Sequence, residues 1–292
     1  MLQQLANGVF QGSVYALFAV GYALIFGVLD ILNLAHQAVF MIGAFAAFWI
    51  LTHLGANMVV AFLGSMVVCG LLGILLDRVA FAPLRRRRDT HFAGLITSIA
   101  AATMLEALAQ GYFGAQDNRF PLDAVPSRIY TIHGVVILQL QLIILAVSLL
   151  LTIGLTVMLR ATRLGKAIRA VAENPRAARL LGINVEWVIA ESFFIASALG
   201  GAAGVLYGML YSFSPTVGHD LELKGLAVII LGGMGSIPGA VIGGFVLGLV
   251  EVASIGLSST SNLRDAIAFT LLFLVLVARP NGLLGRRAVR EA

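Results

Sequence analysis

The chain is 292 residues long, 60% apolar and 11% charged, with a formal net charge of +5 and a mean hydropathy of +0.98. An ordinary soluble domain is about 45–50% apolar and about 25% charged, so this chain would leave large apolar patches in water; lipid is the solvent that fits. Its cations are bunched between apolar runs, as the positive-inside rule expects of cytoplasmic loops, which argues against a nucleic-acid surface.

A helix needs about 20 apolar residues to cross the hydrocarbon core. The first run, Val9 to Val28, has that length, and no Lys or Arg occurs before Arg78. It therefore reads as a retained span and not a signal peptide. It passes almost without a loop into a second span, 37–54, through Asp30-Ile31-Leu32-Asn33-Leu34-Ala35-His36-Gln37. On a helical turn Asp30, Asn33 and His36 would share a broad face. Two readings stand: Asp30, Asn33 and His36 line a vestibule or gate, or they tether the helix ends.

The third span, 57–77, carries the only cysteine, Cys69, so an intrachain disulfide is excluded and Cys69 reads as a small hydrophobe. Arg85-Arg86-Arg87-Arg88 follow it. The fourth span, 91–113, contains Glu106, with Gln110 one turn on. A charge at mid-bilayer costs about 2.5–3.5 kcal/mol on insertion scales, so Glu106 is expected to face the bundle interior or water. Segment 114–135 is the longest polar stretch on the predicted outer side, and the fifth span is 136–159.

After it come Arg160, Arg163, Lys166, Arg169, Arg176 and Arg179. Leu164, Ile168 and Val171 or Ala172 recur at helical spacing, which predicts a short amphipathic helix with Lys166, Arg169 and Glu173 off its apolar face. Asn174-Pro175 suits an N-cap and first helical residue, opening a second short helix over 176–181 with Gly182 just past its end. A basic loop that only sets orientation is one reading; a folded knob that docks a partner is the other.

The sixth span is 188–211, with Glu191 near its inner end. The stretch 223–257, which contains Glu251, is longer than one crossing and is interrupted by Gly232-Gly233-Met234-Gly235-Ser236-Ile237-Pro238-Gly239. Glycine and proline cost about 1 and 3 kcal/mol relative to alanine in a helix. The break is either a discontinuous helix beside a permeation path or a tight inner turn between helices packed through Gly243, Gly244 and Gly248. A last span lies near 265–279, and Arg286, Arg287 and Arg290 follow. If all three basic clusters are cytoplasmic, 223–257 must cross twice, at about 223–233 and 238–257. The expected fold is an all-α polytopic membrane protein of about nine transmembrane helices, with eight to ten as the range. One of them is short and broken near the Gly/Pro motif.

The sequence has no paired-His zinc motif, no Walker loop and no Gly-x-Ser-x-Gly elbow, so no catalytic or metal-ligating residue is assigned.

Several motifs together resemble the LivH-type branched-chain amino-acid permeases. They are Gly21-Tyr22-Ala23-Leu24-Ile25-Phe26-Gly27, Leu32-Asn33-Leu34-Ala35-His36, Leu164-Gly165-Lys166-Ala167-Ile168-Arg169-Ala170 and Leu181-Gly182-Ile183-Asn184. Leu231-Gly232-Gly233-Met234-Gly235-Ser236-Ile237-Pro238-Gly239-Ala240 and Arg279-Pro280-Asn281-Gly282-Leu283-Leu284-Gly285 complete the set.

The resemblance implies that 1–292 is a single ABC importer transmembrane (permease) domain of a bacterial inner (plasma) membrane, carrying branched-chain amino acids. Implied partners are a second, LivM-type permease, two cytoplasmic ATPases that use ATP and Mg, and a periplasmic or lipid-anchored solute-binding protein. No cofactor is expected on this chain. The helices at 164–182 become the coupling element, with Lys166, Arg169, Glu173, Asn174, Pro175, Arg179 and Gly182 facing an ATPase. The path is expected along Asn33, His36, Gln37, Glu106, Gly232, Gly233, Gly235, Ser236 and Pro238. Two departures stand out: Arg176 occupies a position where importer permeases often carry Glu, and Gln37 one where this family often has Gly. Relatives of this architecture carry urea or short amides, and an ATP-independent secondary transporter or channel is the rival from another class.

Overall fold

The computed structural model describes residues 2–86, 90–132 and 134–258, together with 266, 269–270, 273–275, 277, 279 and 282–285. The predicted span 265–279 and the cations Arg87, Arg88, Arg286, Arg287 and Arg290 lie wholly or largely outside them. Long helices dominate: α1 (Leu2–Leu29), α2 (His36–Leu54), α3 (Met58–Leu76), α4 (Thr90–Phe113) and α5 (Gln139–Ala161). The short α6 (Arg163–Glu173) and α7 (Pro175–Leu180) follow, then α8 (Val185–Leu210), α9 (Val217–Gly232) and α10 (Ile237–Ser258). Among the described residues seven helices are long and apolar enough to cross a membrane. α9 is not one of them, because its 16 residues reach about 24 Å against a core of about 30 Å.

α1 and α8 are mostly buried and form the centre, while α3, α4 and α5 turn apolar side chains such as Val67, Leu108 and Leu150 outward to lipid. Packing between helices relies on glycine, as expected where lipid supplies no hydrophobic drive and close approach of backbones does. A Cβ placed on Gly12 of α1 would lie 2.9 Å from the Cα of Phe245 in α10, and Gly244 and Gly248 press on Ala16 and Gly12 in return. Gly243 faces α9 instead, against the Val228 carbonyl. α8 meets α2 at Gly43–Gly201, and Cys69 of α3 is buried against the same Gly201.

Sequence and structure differ at the outer loop. The predicted fifth span includes 136–138, but Ile129–Ile132 (β1) and Val135–Leu138 (β2) form an antiparallel hairpin, Ile129 opposite Leu138, before α5 begins. Short apolar runs fit strand and buried helix alike. The link ends in Gly134 at φ 80°, and Gln3 of α1 pairs with both backbone groups of Val136.

Two helices begin inside the bundle. α1 ends at Leu29, and Asp30 takes a left-handed φ of 53° that turns the chain back. Residues 30–35 then climb beside α1 and α4 before α2 starts, so that His36 packs on Gly21, eight residues or about 12 Å back along α1. Non-helical backbone at that depth must be satisfied by protein. Accordingly the Leu34 amide donates to the Ser98 hydroxyl (3.2 Å) and the Ala35 amide to Asn33 Oδ1 (3.2 Å). On the other side, 211–216 return from the end of α8, with Phe213 bridged to Asn118, and α9 starts with Gly218 against the Gln37 carbonyl.

Candidate functional site

The basic elbow after α5 is built by local rules. The Thr162 hydroxyl caps α6 by accepting from the Gly165 amide (3.0 Å). Gly165 lets α6 fold directly onto the Met158 and Leu159 carbonyls, where any side chain would overlap backbone. Arg169 donates to the Leu159 carbonyl, closing the α5 C-terminus with a cation. Ile168 and Val171 are buried; Ala172, the alternative apolar position, is exposed. Asn174 Oδ1 accepts from the Arg176 and Ala177 amides (3.0 Å each), Pro175 is the first residue of α7, and Gly182 ends the turn at φ 81°.

Lys166, Glu173, Asn174, Pro175, Arg179 and Gly182 are all exposed. The sequence reading missed two apolar residues beside them: Leu180 and Leu181 are 90% and 80% exposed at the tip. Their signal, two leucines at the end of a six-residue helix too short to bury both, was available.

An ion network ties the elbow to the bundle. Asp77, in a π-helical turn at the inner end of α3, is 1% exposed and is held by Arg85. Arg85 also donates to Glu186 at the start of α8 (2.8 Å), and Arg179 reaches the same carboxylate (3.2 Å). Burial opposes the Arg85 charge, but hydrogen bonds to Asp77 and Glu186 more than offset it, raising the guanidinium pKa.

The predicted path residues separate into two places. Asn33, His36 and Gln37 are buried together at the start of α2, and Glu106 of α4 lies beside Gln37. The His36 ring sits edge-on to Tyr22 (centroids 5.5 Å, 89°) between Gly21 and Gly200. The Phe18 carbonyl faces it, yet neither ring nitrogen attains hydrogen-bond geometry. Glu106 Oε2 is 2.9 Å from His219 Nε2 on α9, and Gln110 Nε2 is 3.4 Å from its other oxygen. His219, Asp220 and Leu223 are exposed along α9 and Glu222 is half-buried, so the first turns of that helix present a largely polar face.

Gly232, Gly233, Gly235, Ser236 and Pro238 lie at the opposite end of α9, about 20 Å from Gly218 by helical rise. There they form a closed turn. The Ser236 hydroxyl caps α10 by accepting from the Gly239 amide (3.2 Å). Leu283 and Leu284 donate to the Leu231 (2.8 Å) and Gly232 (3.0 Å) carbonyls, the last of α9. The distal tail thus satisfies the groups that the glycine break leaves open.

Among the described residues no group of three or more His, Cys, Asp or Glu is placed to hold a metal ion. Glu251 is fully buried, and its partner is Lys224 of α9 (2.7 Å), a pairing across 27 residues that nothing local announces.

Comparison with known proteins agrees with this architecture. The sequence model of a family described as "Branched-chain amino acid transport system / permease component" matches residues 4–276. The high-affinity branched-chain amino acid transport system permease protein BraD of Pseudomonas aeruginosa is 37% identical over 302 residues, covering 99% of this chain and 97% of that protein. LivH of Escherichia coli is 37% identical over 308 residues with the same coverage. A probable LivH of Methanocaldococcus jannaschii is 26% identical over 85% of the chain and 79% of its own length. The chain therefore belongs to the family of branched-chain amino acid transport permeases, multi-pass proteins of the inner membrane.

Proposed function

We propose that this chain is one permease half of an ATP-driven importer that moves branched-chain amino acids across the bacterial inner membrane by alternating access. Its partners are a second, LivM-type permease, two cytoplasmic ATPases that consume ATP with Mg, and a periplasmic or lipid-anchored binding protein. This chain binds no cofactor of its own.

The observation that carries the reading is the elbow. Leu180 and Leu181 stand bare beside Arg176 and Arg179 on a capped helix pair that is locked to α5 through Gly165 and Arg169 and to α3 through Glu186 and Arg85. An exposed apolar pair with a charged rim on a rigid mount is what a docked protein covers. Force applied there reaches α5, α8 and α3 without passing through a flexible link.

The polar face of α9 supports transport between two subunits. His219 and Asp220 turned to lipid would each be costly, so that face borders water or the second permease. A displacement of α4 relative to α9 would open the space at Glu106 to one side and then the other.

Proteoliposomes test the reading. Leucine uptake by the complete complex is expected to require ATP and the binding protein. Uptake by this chain alone, driven by an ion gradient, would establish the secondary-transporter alternative, and urea uptake at the leucine rate would reassign the cargo.

A further inference from the structure

We propose that the cavity where the first turns of α2 and α9 meet reads the α-ammonium group of the transported amino acid, with Glu106 and Gln37 as its acceptors. This deepens the importer reading and rests on it for the identity of the cargo.

The cavity is lined by Gln37, Ala38 and Met41 of α2, Glu106 of α4, and Gly218 and His219 of α9. Gln37 is 7% exposed and its Oε1 has no hydrogen-bond partner. A buried acceptor left unanswered is costly, and native structures seldom keep one without a use. Glu106 adds a carboxylate that is 17% exposed. An amide oxygen and a carboxylate lining one space complement a group that only donates, and an ammonium has three donors and no acceptor.

Size agrees. The space accommodates about one water-sized group. That admits an ammonium and leaves the rest of an amino acid outside, toward the half-exposed His219. His219 Nε2 stands 2.9 Å from Glu106 in this state, with its side chain 55% exposed. The incoming ammonium can replace that donor while the imidazole swings out, so the carboxylate is never left bare.

The backbone supplies the opposite charge. The first turns of α2 and α9 both lie beside the cavity, with the Ala35 and His36 amides held by Asn33 and the Val217 and His219 amides by the Ser214 and Thr216 carbonyls, so what they offer a ligand is the positive end of two helix dipoles. They favour a carboxylate next to the bound ammonium. A neutral amide or urea presents neither charge, which makes this the point where the path distinguishes zwitterions.

The test uses the complete importer in proteoliposomes, with Cys69→Ala and Thr216→Cys, since Thr216 is exposed between the lining residues Pro215 and Gly218. The rate of modification by a methanethiosulfonate ethylammonium reagent is measured. L-leucine at twice its dissociation constant is expected to slow it about threefold, the occupancy effect at that concentration. 4-Methylpentanamide and 4-methylpentanoate, which lack the ammonium, are expected to leave it unchanged, and Glu106→Gln is expected to abolish protection by leucine. Equal protection by 4-methylpentanamide, protection retained in Glu106→Gln, or a cysteine unreactive under every condition overturns the proposal. The analogue comparison needs no change at Glu106 and decides the matter even if that variant does not assemble. ATP-dependent leucine uptake by the same vesicles reports on the importer reading separately: uptake without protection sinks the site alone, and protection without ATP-dependent uptake sinks the importer alone.

Discussion

Lys224 of α9 and Glu251 of α10 form an ion pair with Nζ 2.7 Å from Oε1, and Glu251 is wholly enclosed. Lys224 also reaches the Tyr15 hydroxyl of α1 (3.4 Å), so the pair joins three helices. Removing one partner of a buried pair strands the other charge, at a cost of about 3–5 kcal/mol, whereas replacing both by apolar groups is often neutral. Lys224→Met is therefore expected to lower the thermal midpoint of the detergent-solubilised protein sharply, and Lys224→Met with Glu251→Leu to restore most of it. A double variant no better than the single one would show that the pair does not act as a unit.

Leu180 and Leu181 contribute almost nothing to the folded bundle, because water already surrounds them. Leu180→Asp or Leu181→Asp is expected to change stability by no more than about 0.5 kcal/mol while reducing ATPase co-purification at least about tenfold, the equivalent of 1.4 kcal/mol of docking energy. Undiminished co-purification would move the docking surface elsewhere.

Gly233 and Gly235 look alike in the sequence and differ in the structure. Gly233 has φ 101°, and a Cβ there would overlap the backbone of Gly285, whereas Gly235 at φ 77° meets nothing closer than 3.4 Å. Gly233→Ala is expected to release the tail, read as faster hydrogen exchange at the Leu283 and Leu284 amides. Gly235→Ala is expected to cost only the left-handed backbone penalty of about 1–2 kcal/mol and to leave that protection intact.

His36 fills a slot between Gly21, Gly200 and the Tyr22 ring with both nitrogens outside hydrogen-bond geometry. An apolar side chain loses no hydrogen bond there, so His36→Leu is expected to be nearly neutral in thermal unfolding. His36→Ala leaves a cavity and is expected to cost about 2–4 kcal/mol. If Leu proves as damaging as Ala, the imidazole has a polar role.

The helices were legible because each is a local property. Apolar runs of spanning length marked six of the seven long helices to within about three residues at most ends; α1 begins earlier than predicted because Leu2 to Gly8 contains Gln3, Gln4 and Asn7, which hide helix in a hydropathy reading. The Asn174-Pro175 and Gly182 corners of the elbow were equally readable, since a cap involves residues two or three apart. The depth at which α2 and α9 start was not legible. Both unwound segments are short, and nothing in their composition says that they turn back into the bundle.

What the sequence by itself determined is the solvent of the protein, the helices that cross it and the shape of the basic elbow, because hydropathy, periodicity and capping act within a few residues. Only the tertiary structure decided that Glu106 answers His219, that Glu251 answers Lys224, that Asp77 is held by Arg85, and that the tail closes the glycine turn. These contacts join residues far apart in the chain, and they arise where glycine faces let whole helices approach. A charge in an apolar run announces that it needs a partner; which partner it meets depends on how the helices pack.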